Sequence, residues 1–137
     1  LPRQSAAIPY RRGDDERLEV LLVTARRSGR WVLPKGSVRP GFLPDAVAAK
    51  EAFEEGGVVG EVSRTTLTTY QQTKRQPTGD PLPLYVEVYP LAVTTEVMTW
   101  PEMSVRKRAW FPIDKAIKRV RNDELRRTLR VFRESMK

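Results

Sequence analysis

The chain has 137 residues, 39% of them apolar and 31% charged, a length that suits one domain with a real core and a balance that suits a solvated globular surface rather than a disordered tail. It contains neither His nor Cys, which excludes Ser-His-Asp and Cys-His nucleophilic catalysis, Cys/His zinc sites and disulfides. Any metal must therefore have oxygen ligands, which select hard cations such as Mg²⁺ or Mn²⁺, while 25 basic against 17 acidic residues give a net charge of +8 that attracts nucleic acid, anionic lipid or polyphosphate alike.

In chain order, apolar stretches bounded by turn residues predict strands near Ser5 to Tyr10, Glu19 to Thr24 and Trp31 to Leu33, with a turn at Gly13-Asp14-Asp15. Pro44 at a first helical turn, Asp45 beside it and Gly56-Gly57 as a stop predict a helix from Pro44 to Glu55. Two longer β-rich regions follow, Val58 to Thr73 and Leu84 to Val93, joined by an exposed hairpin connection from Gln76 to Pro81. A short strand is expected at Arg106 to Phe111. Helical periodicity then begins near Ile113, with Ile117 and Val120 on one stripe, and Leu125, Leu129, Phe132 and Met136 on another. Asn122-Asp123 caps a restart between them. No repeat or second domain interrupts the chain, so residues 1–137 read as one domain, a mixed sheet flanked by helices. No apolar run approaches the roughly 20 residues of a membrane span, and Leu1-Pro2-Arg3-Gln4 is no signal-peptide core. The expectation is a cytoplasmic protein without a membrane partner, its oligomeric state open.

The helix carries the chemistry. Glu51, Glu54 and Glu55 stand at i, i+3 and i+4 on one helical face, so three carboxylates can converge on one ion. Acids in a last helical turn oppose the helix dipole and repel one another, and a bound divalent cation reverses both penalties. Upstream, Trp31-Val32-Leu33-Pro34-Lys35-Gly36 reads as a strand entering a Pro and Gly turn whose carbonyls can face a metal or phosphate.

Gly36, Glu51, Ala52, Glu54, Glu55, Gly57 and Val58 together resemble the Nudix box, in which a glycine, a glutamate, Arg-Glu, an aliphatic residue, Glu-Glu, a glycine and an aliphatic residue recur at fixed spacing. The resemblance implies a Nudix-type α/β/α sandwich. It also implies Glu51 and Glu55 as Mg²⁺ ligands with the Lys35 carbonyl, Glu54 as general base or second-metal ligand, and Gly36 and Gly57 as structural glycines of the box. The first box glutamate is Phe42 here and the box arginine is Lys50; Lys cannot reproduce the bidentate fork of Arg.

Trp100-Pro101-Glu102, Arg106-Lys107-Arg108-Ala109-Trp110-Phe111 and Ile113 to Lys118 are similar in order to the diphosphoinositol polyphosphate phosphohydrolase branch, and the resemblance runs from about Gln4 to Val120. It implies Mg²⁺-dependent hydrolysis of a phosphoanhydride in a small polyphosphorylated substrate, a diphosphoinositol polyphosphate or a dinucleoside polyphosphate. Capped-RNA or nucleotide pyrophosphohydrolysis is the alternative within the enzyme class. A non-catalytic anion- or RNA-binding Nudix domain is the alternative outside it, and nucleic acid is the less favoured partner. Candidate phosphate clamps are Arg27, Arg30, Lys35, Arg39, Lys74, Arg75, Arg106, Lys107 and Arg108; on a strand Arg106 and Arg108 share one side and Lys107 takes the other. Glu87, Glu96 and Glu102 are candidate acids outside the box.

Overall fold

Ser5, Ala6, Ala7 and Ile8 are all fully buried in succession, which a strand achieves only when both faces of its sheet are covered. They belong to β1 (Arg3–Arg12), the middle of an eight-stranded sheet in the computed structural model, which describes residues 2–137. On one side β1 pairs antiparallel with β2 (Leu18–Thr24), through Arg11 opposite Glu19, and with β4 (Lys35–Ser37), through Ser5 opposite Gly36. On its other side it runs parallel to the long β7 (Pro81–Glu96). Beyond β7 lie β5 (Val58–Val62) and β6 (Thr68–Arg75), both antiparallel to it, while β3 (Trp31–Val32) and β8 (Arg108–Pro112) pair with β2.

Alternation along β1 and β2 divides the core into two layers. Leu21 and Ala7 join Ala48 and Ala52 of α1 (Pro44–Gly56) on one face. Ala6, Ile8, Val20 and Leu22 pack on the other face against Ile117 of α2 (Ile113–Arg119) and Leu125, Leu129 and Phe132 of α3 (Asp123–Ser135). The result is the expected α/β/α sandwich. No helix among the described residues is long and apolar enough to cross a membrane.

Three local expectations change. The region from Val58 to Thr73 is two strands, because the chain turns at Ser63, whose hydroxyl bonds the Thr65 carbonyl and amide. Lys35-Gly36 is not a free turn but the start of edge strand β4. The last strand starts at Arg108 rather than Arg106, which leaves Arg106 in the preceding loop. The helical restart forms as expected: the Asn122 side chain accepts from the amides of Glu124 and Leu125 at the head of α3.

Candidate functional site

Helix α1 starts with Pro44, where the missing amide proton is no loss, and ends because Gly57 adopts a left-handed conformation (φ 65°). A helix end leaves carbonyls without partners. Here the segment 97–108 supplies them: the Glu102 amide donates to the Glu54 carbonyl at 3.0 Å, Trp100 Nε1 to Glu55 at 3.1 Å, Arg108 Nη1 to Gly56 at 3.1 Å, and the Val97 amide to Gly57 at 2.9 Å. The Arg108 guanidinium also stacks 3.8 Å from the centre of the Trp100 ring. No basic residue lies in the last turn of α1 itself, so these donors and the Arg108 charge answer the negative end of its dipole from across the fold.

With the end of α1 held by this segment, which forms a strap across it, the three acids of the helix point to different partners. Glu55 is 5% exposed, and its Oε2 lies 3.6 Å from Arg106 Nη2. Burial pushes its carboxyl up to about 8; Arg106 opposes that rise, while the hydrogen bond and charge of Glu51 and the charge of Glu102 add to it. Glu51 lies against Gly36, where a β-carbon would stand 2.5 Å from its carboxyl carbon. Glu54 is drawn to Lys50, whose Nζ is 3.0 Å from Glu54 Oε2 and 3.6 Å from Glu51 Oε2. Among the described residues no three acids are grouped to hold a metal ion; the close pair is Glu51 with Glu55, not the trio expected from helical spacing. Side-chain reach decides this, since Lys50 one turn before Glu54 captures that carboxylate.

The pair suits a hard divalent cation. Mg²⁺ commonly takes one or two carboxylates, keeps water and completes its shell with substrate phosphates, and two facing acids, of which the buried Glu55 has its proton affinity raised, are a place where such a charge is stabilising. The Lys35 carbonyl is left free by the pairing of β1 with β4. Ser5 and Gly36 form the hydrogen-bonded step of the β1–β4 ladder, flanked by the bonds from Ala7 to Pro34 and from Val38 to Arg3, so the carbonyl of Lys35 points away from β1.

Beside Glu55 opens a cavity of about 810 Å³ whose wall includes Arg27, Arg30, Lys35, Lys74 and Arg106. The Lys35 ammonium donates to Gln72 Oε1. Burial lowers its pKa to about 8, against the pull of Glu55 and with help from Lys74. Arg106 is fixed by the Glu102 carboxylate at 2.8 Å and by the Thr24 carbonyl at 3.0 Å. Arg39, Arg75, Lys107 and Arg108 are not part of this wall: Arg75 donates to the Gly79 carbonyl, and Arg108 is occupied with Trp100, Glu96 and α1. Of the acids outside the box, Glu87 pairs with Arg3, Glu96 pairs with Arg108, and Glu102 alone among the three bears on Glu55. Gln4, Arg26, Gln72, Arg121 and Asn122 also line the wall and were not expected there; only Asn122 carried a local signal, and that signal was for a helix cap.

The chain matches the NUDIX domain family over residues 1–132. It belongs to the Nudix family. It is 35% identical to diphosphoinositol polyphosphate phosphohydrolase 2 of Rattus norvegicus over 120 residues, 85% of this chain and 61% of that protein. It is 30% identical to the chloroplastic Nudix hydrolase 21 of Arabidopsis thaliana over 129 residues, 91% of this chain and 63% of that one. The chain thus spans about three-fifths of the length of these curated relatives. Its fold is similar to the C. elegans Ap4A hydrolase (TM-score 0.71, 22% identity, 100% of this chain and 99% of that one). It is also similar to the NUDIX domain of Shewanella oneidensis NrtR complexed with ADP ribose (TM-score 0.76, 18% identity, 98% and 88%).

Proposed function

We propose that residues 1–137 form a single pyrophosphohydrolase domain that cleaves a phosphoanhydride bond in a small polyphosphorylated substrate, with Mg²⁺ or Mn²⁺ as cofactor. The observation that carries this reading is the buried Glu55, paired with Glu51 and set in the wall of a cavity rich in cations. Glu51, Glu55 and the Lys35 carbonyl are the groups that would hold the metal, which when bound neutralises diphosphate oxygens and activates water. Glu54, its side chain 32% exposed, takes the proton of the attacking water. Arg27, Arg30, Lys35 and Arg106 hold the phosphates and stabilise charge on the leaving group. Gly36 and Gly57 leave room for the acids and for the strap. A diphosphoinositol polyphosphate is the favoured substrate, supported by the names of the curated relatives, with a dinucleoside polyphosphate next and capped RNA or a nucleotide after it.

One observation favours a second reading, an anion-binding domain without turnover: the Lys50 ammonium already sits between Glu51 and Glu54. The substitution Glu54→Gln separates the two. At saturating Mg²⁺, with inositol pyrophosphate, diadenosine polyphosphates and nucleoside triphosphates assayed side by side, it should retain the wild-type melting temperature and lose about 10²- to 10⁴-fold in turnover. Near-normal hydrolysis removes Glu54 from the mechanism. A wild type that binds these anions in chelator but cleaves none of them supports the second reading.

A further inference from the structure

The box departs from its pattern at two positions, Phe42 and Lys50, and the structure shows what the second of them does. The loop from Ser37 to Leu43 contains no acid, and Phe42 is exposed. Nothing in that loop therefore competes for the Lys50 ammonium. Among the described residues it pairs with Glu54 at 3.0 Å and with Glu51 at 3.6 Å, and with no other acid.

Glu51 and Glu54 stand about one turn apart on α1, where two carboxylates repel each other and a positive charge between them relieves the repulsion. The ammonium thus holds the position from which one cation would touch both acids. A divalent ion placed there would meet a like charge a few ångströms away, so the two exclude each other by electrostatics. The exclusion is reversible. The Lys50 side chain is 62% exposed, and its flexible stem can swing into water without disturbing the core.

From this we infer that Lys50 is a positioning residue that acts as an internal counterion: its ammonium takes the place of a second divalent cation between Glu51 and Glu54, limits the helix to the ion held with Glu55, and reserves Glu54 for proton transfer. The inference rests on the proposed function for the ion at Glu51 and Glu55 and goes beyond it in setting how many ions the helix accepts. It gives the lysine at this position a role of its own in the chemistry of the acids.

The test counts bound Mn²⁺ by calorimetry and by electron paramagnetic resonance, without substrate and at fixed ionic strength, in the wild type, Lys50→Met and Lys50→Arg. Methionine keeps the helix propensity and removes the charge, so the melting temperature should stay close to that of the wild type. Lys50→Met should bind one more ion per chain, at least about tenfold more tightly than any second ion of the wild type. Lys50→Arg, which keeps the charge, should behave as the wild type does. Adding Glu54→Gln to Lys50→Met should abolish the extra ion. Equal ion counts in the wild type and Lys50→Met, including a single ion that merely binds more tightly in the variant, overturn the role of Lys50, as does an extra ion that survives Glu54→Gln. One ion in each of these proteins, with turnover in the wild type, leaves the hydrolase reading in place. An ion bound by Lys50→Met alone and lost with Glu54→Gln keeps the role of Lys50 and removes the metal-loaded wild type, and no uptake by any variant removes both.

Discussion

Glu51 occupies the space that a side chain on Gly36 would need, with its carboxyl carbon 2.5 Å and its Oε2 2.7 Å from where that β-carbon would be. The strand residue and the helix residue are thus matched in shape, fifteen positions apart in sequence. Gly36→Ala should fold, because β4 is a short edge strand, but should push Glu51 away from Glu55. Calorimetric Mn²⁺ uptake should weaken at least tenfold, with a change in melting temperature of only a few degrees. Unaltered uptake would show that Glu51 has no part in holding the ion.

Burial gives the metal-free protein an unusual dependence on pH. Glu55 holds its proton up to about 8 in the fold and loses it near 4.5 in the open chain, so across that window the folded state binds the extra proton and stability falls as pH rises. Lys35 behaves oppositely. Its pKa of about 8 in the fold lies below the ordinary 10.5, so above 8 the open chain binds the extra proton and stability rises. In chelator, thermal melts should pass through a minimum near pH 8. Glu55→Gln should flatten the acid arm, and Lys35→Met the alkaline arm. A monotonic profile that neither variant alters would contradict the buried charges described for both residues.

Trp100 joins the strap to the carboxylate helix through its indole N–H and its ring. Trp100→Phe keeps a ring for Arg108 and leaves the Glu55 carbonyl without its donor, which should cost about 1 to 3 kcal/mol in urea denaturation. Turnover should fall as well, because the same bond fixes the residue that bears the buried carboxyl. A variant with wild-type stability would mean that water replaces the indole.

Asn122→Ala removes the side chain that accepts two amide protons at the head of α3. A loss of about 0.5 to 2 kcal/mol is expected, read as a lower denaturation midpoint with an unchanged slope, since α3 buries Leu125, Leu129 and Phe132 against the sheet. No change in midpoint would show that the cap is dispensable.

Much of this was legible in the chain. The box spacing, the proline at the start of α1 and the paired glycines at its end act through local geometry, so they located the acid-bearing helix without tertiary information. Lys35 and Gly36 were harder, because a strand of three residues shows no alternation and its pairing with β1 is set by distant contacts. Arg106 and Arg108 looked equivalent on a strand. The strand begins only at Arg108, which frees Arg106 to reach the Thr24 carbonyl and the neighbourhood of Glu55 while Arg108 binds the end of α1. Helical spacing placed three acids on one face, but it could not foresee that Lys50 would capture one of them.

Four consecutive carbonyls at the end of α1 are gripped by a stretch of chain that folds back from forty or more residues away. Orientation of the acids is therefore a property shared between two distant pieces of sequence. Anyone grafting this box onto another scaffold would have to carry residues 97–108 along with it, since the helix transplanted alone would lose the handle by which the fold turns it.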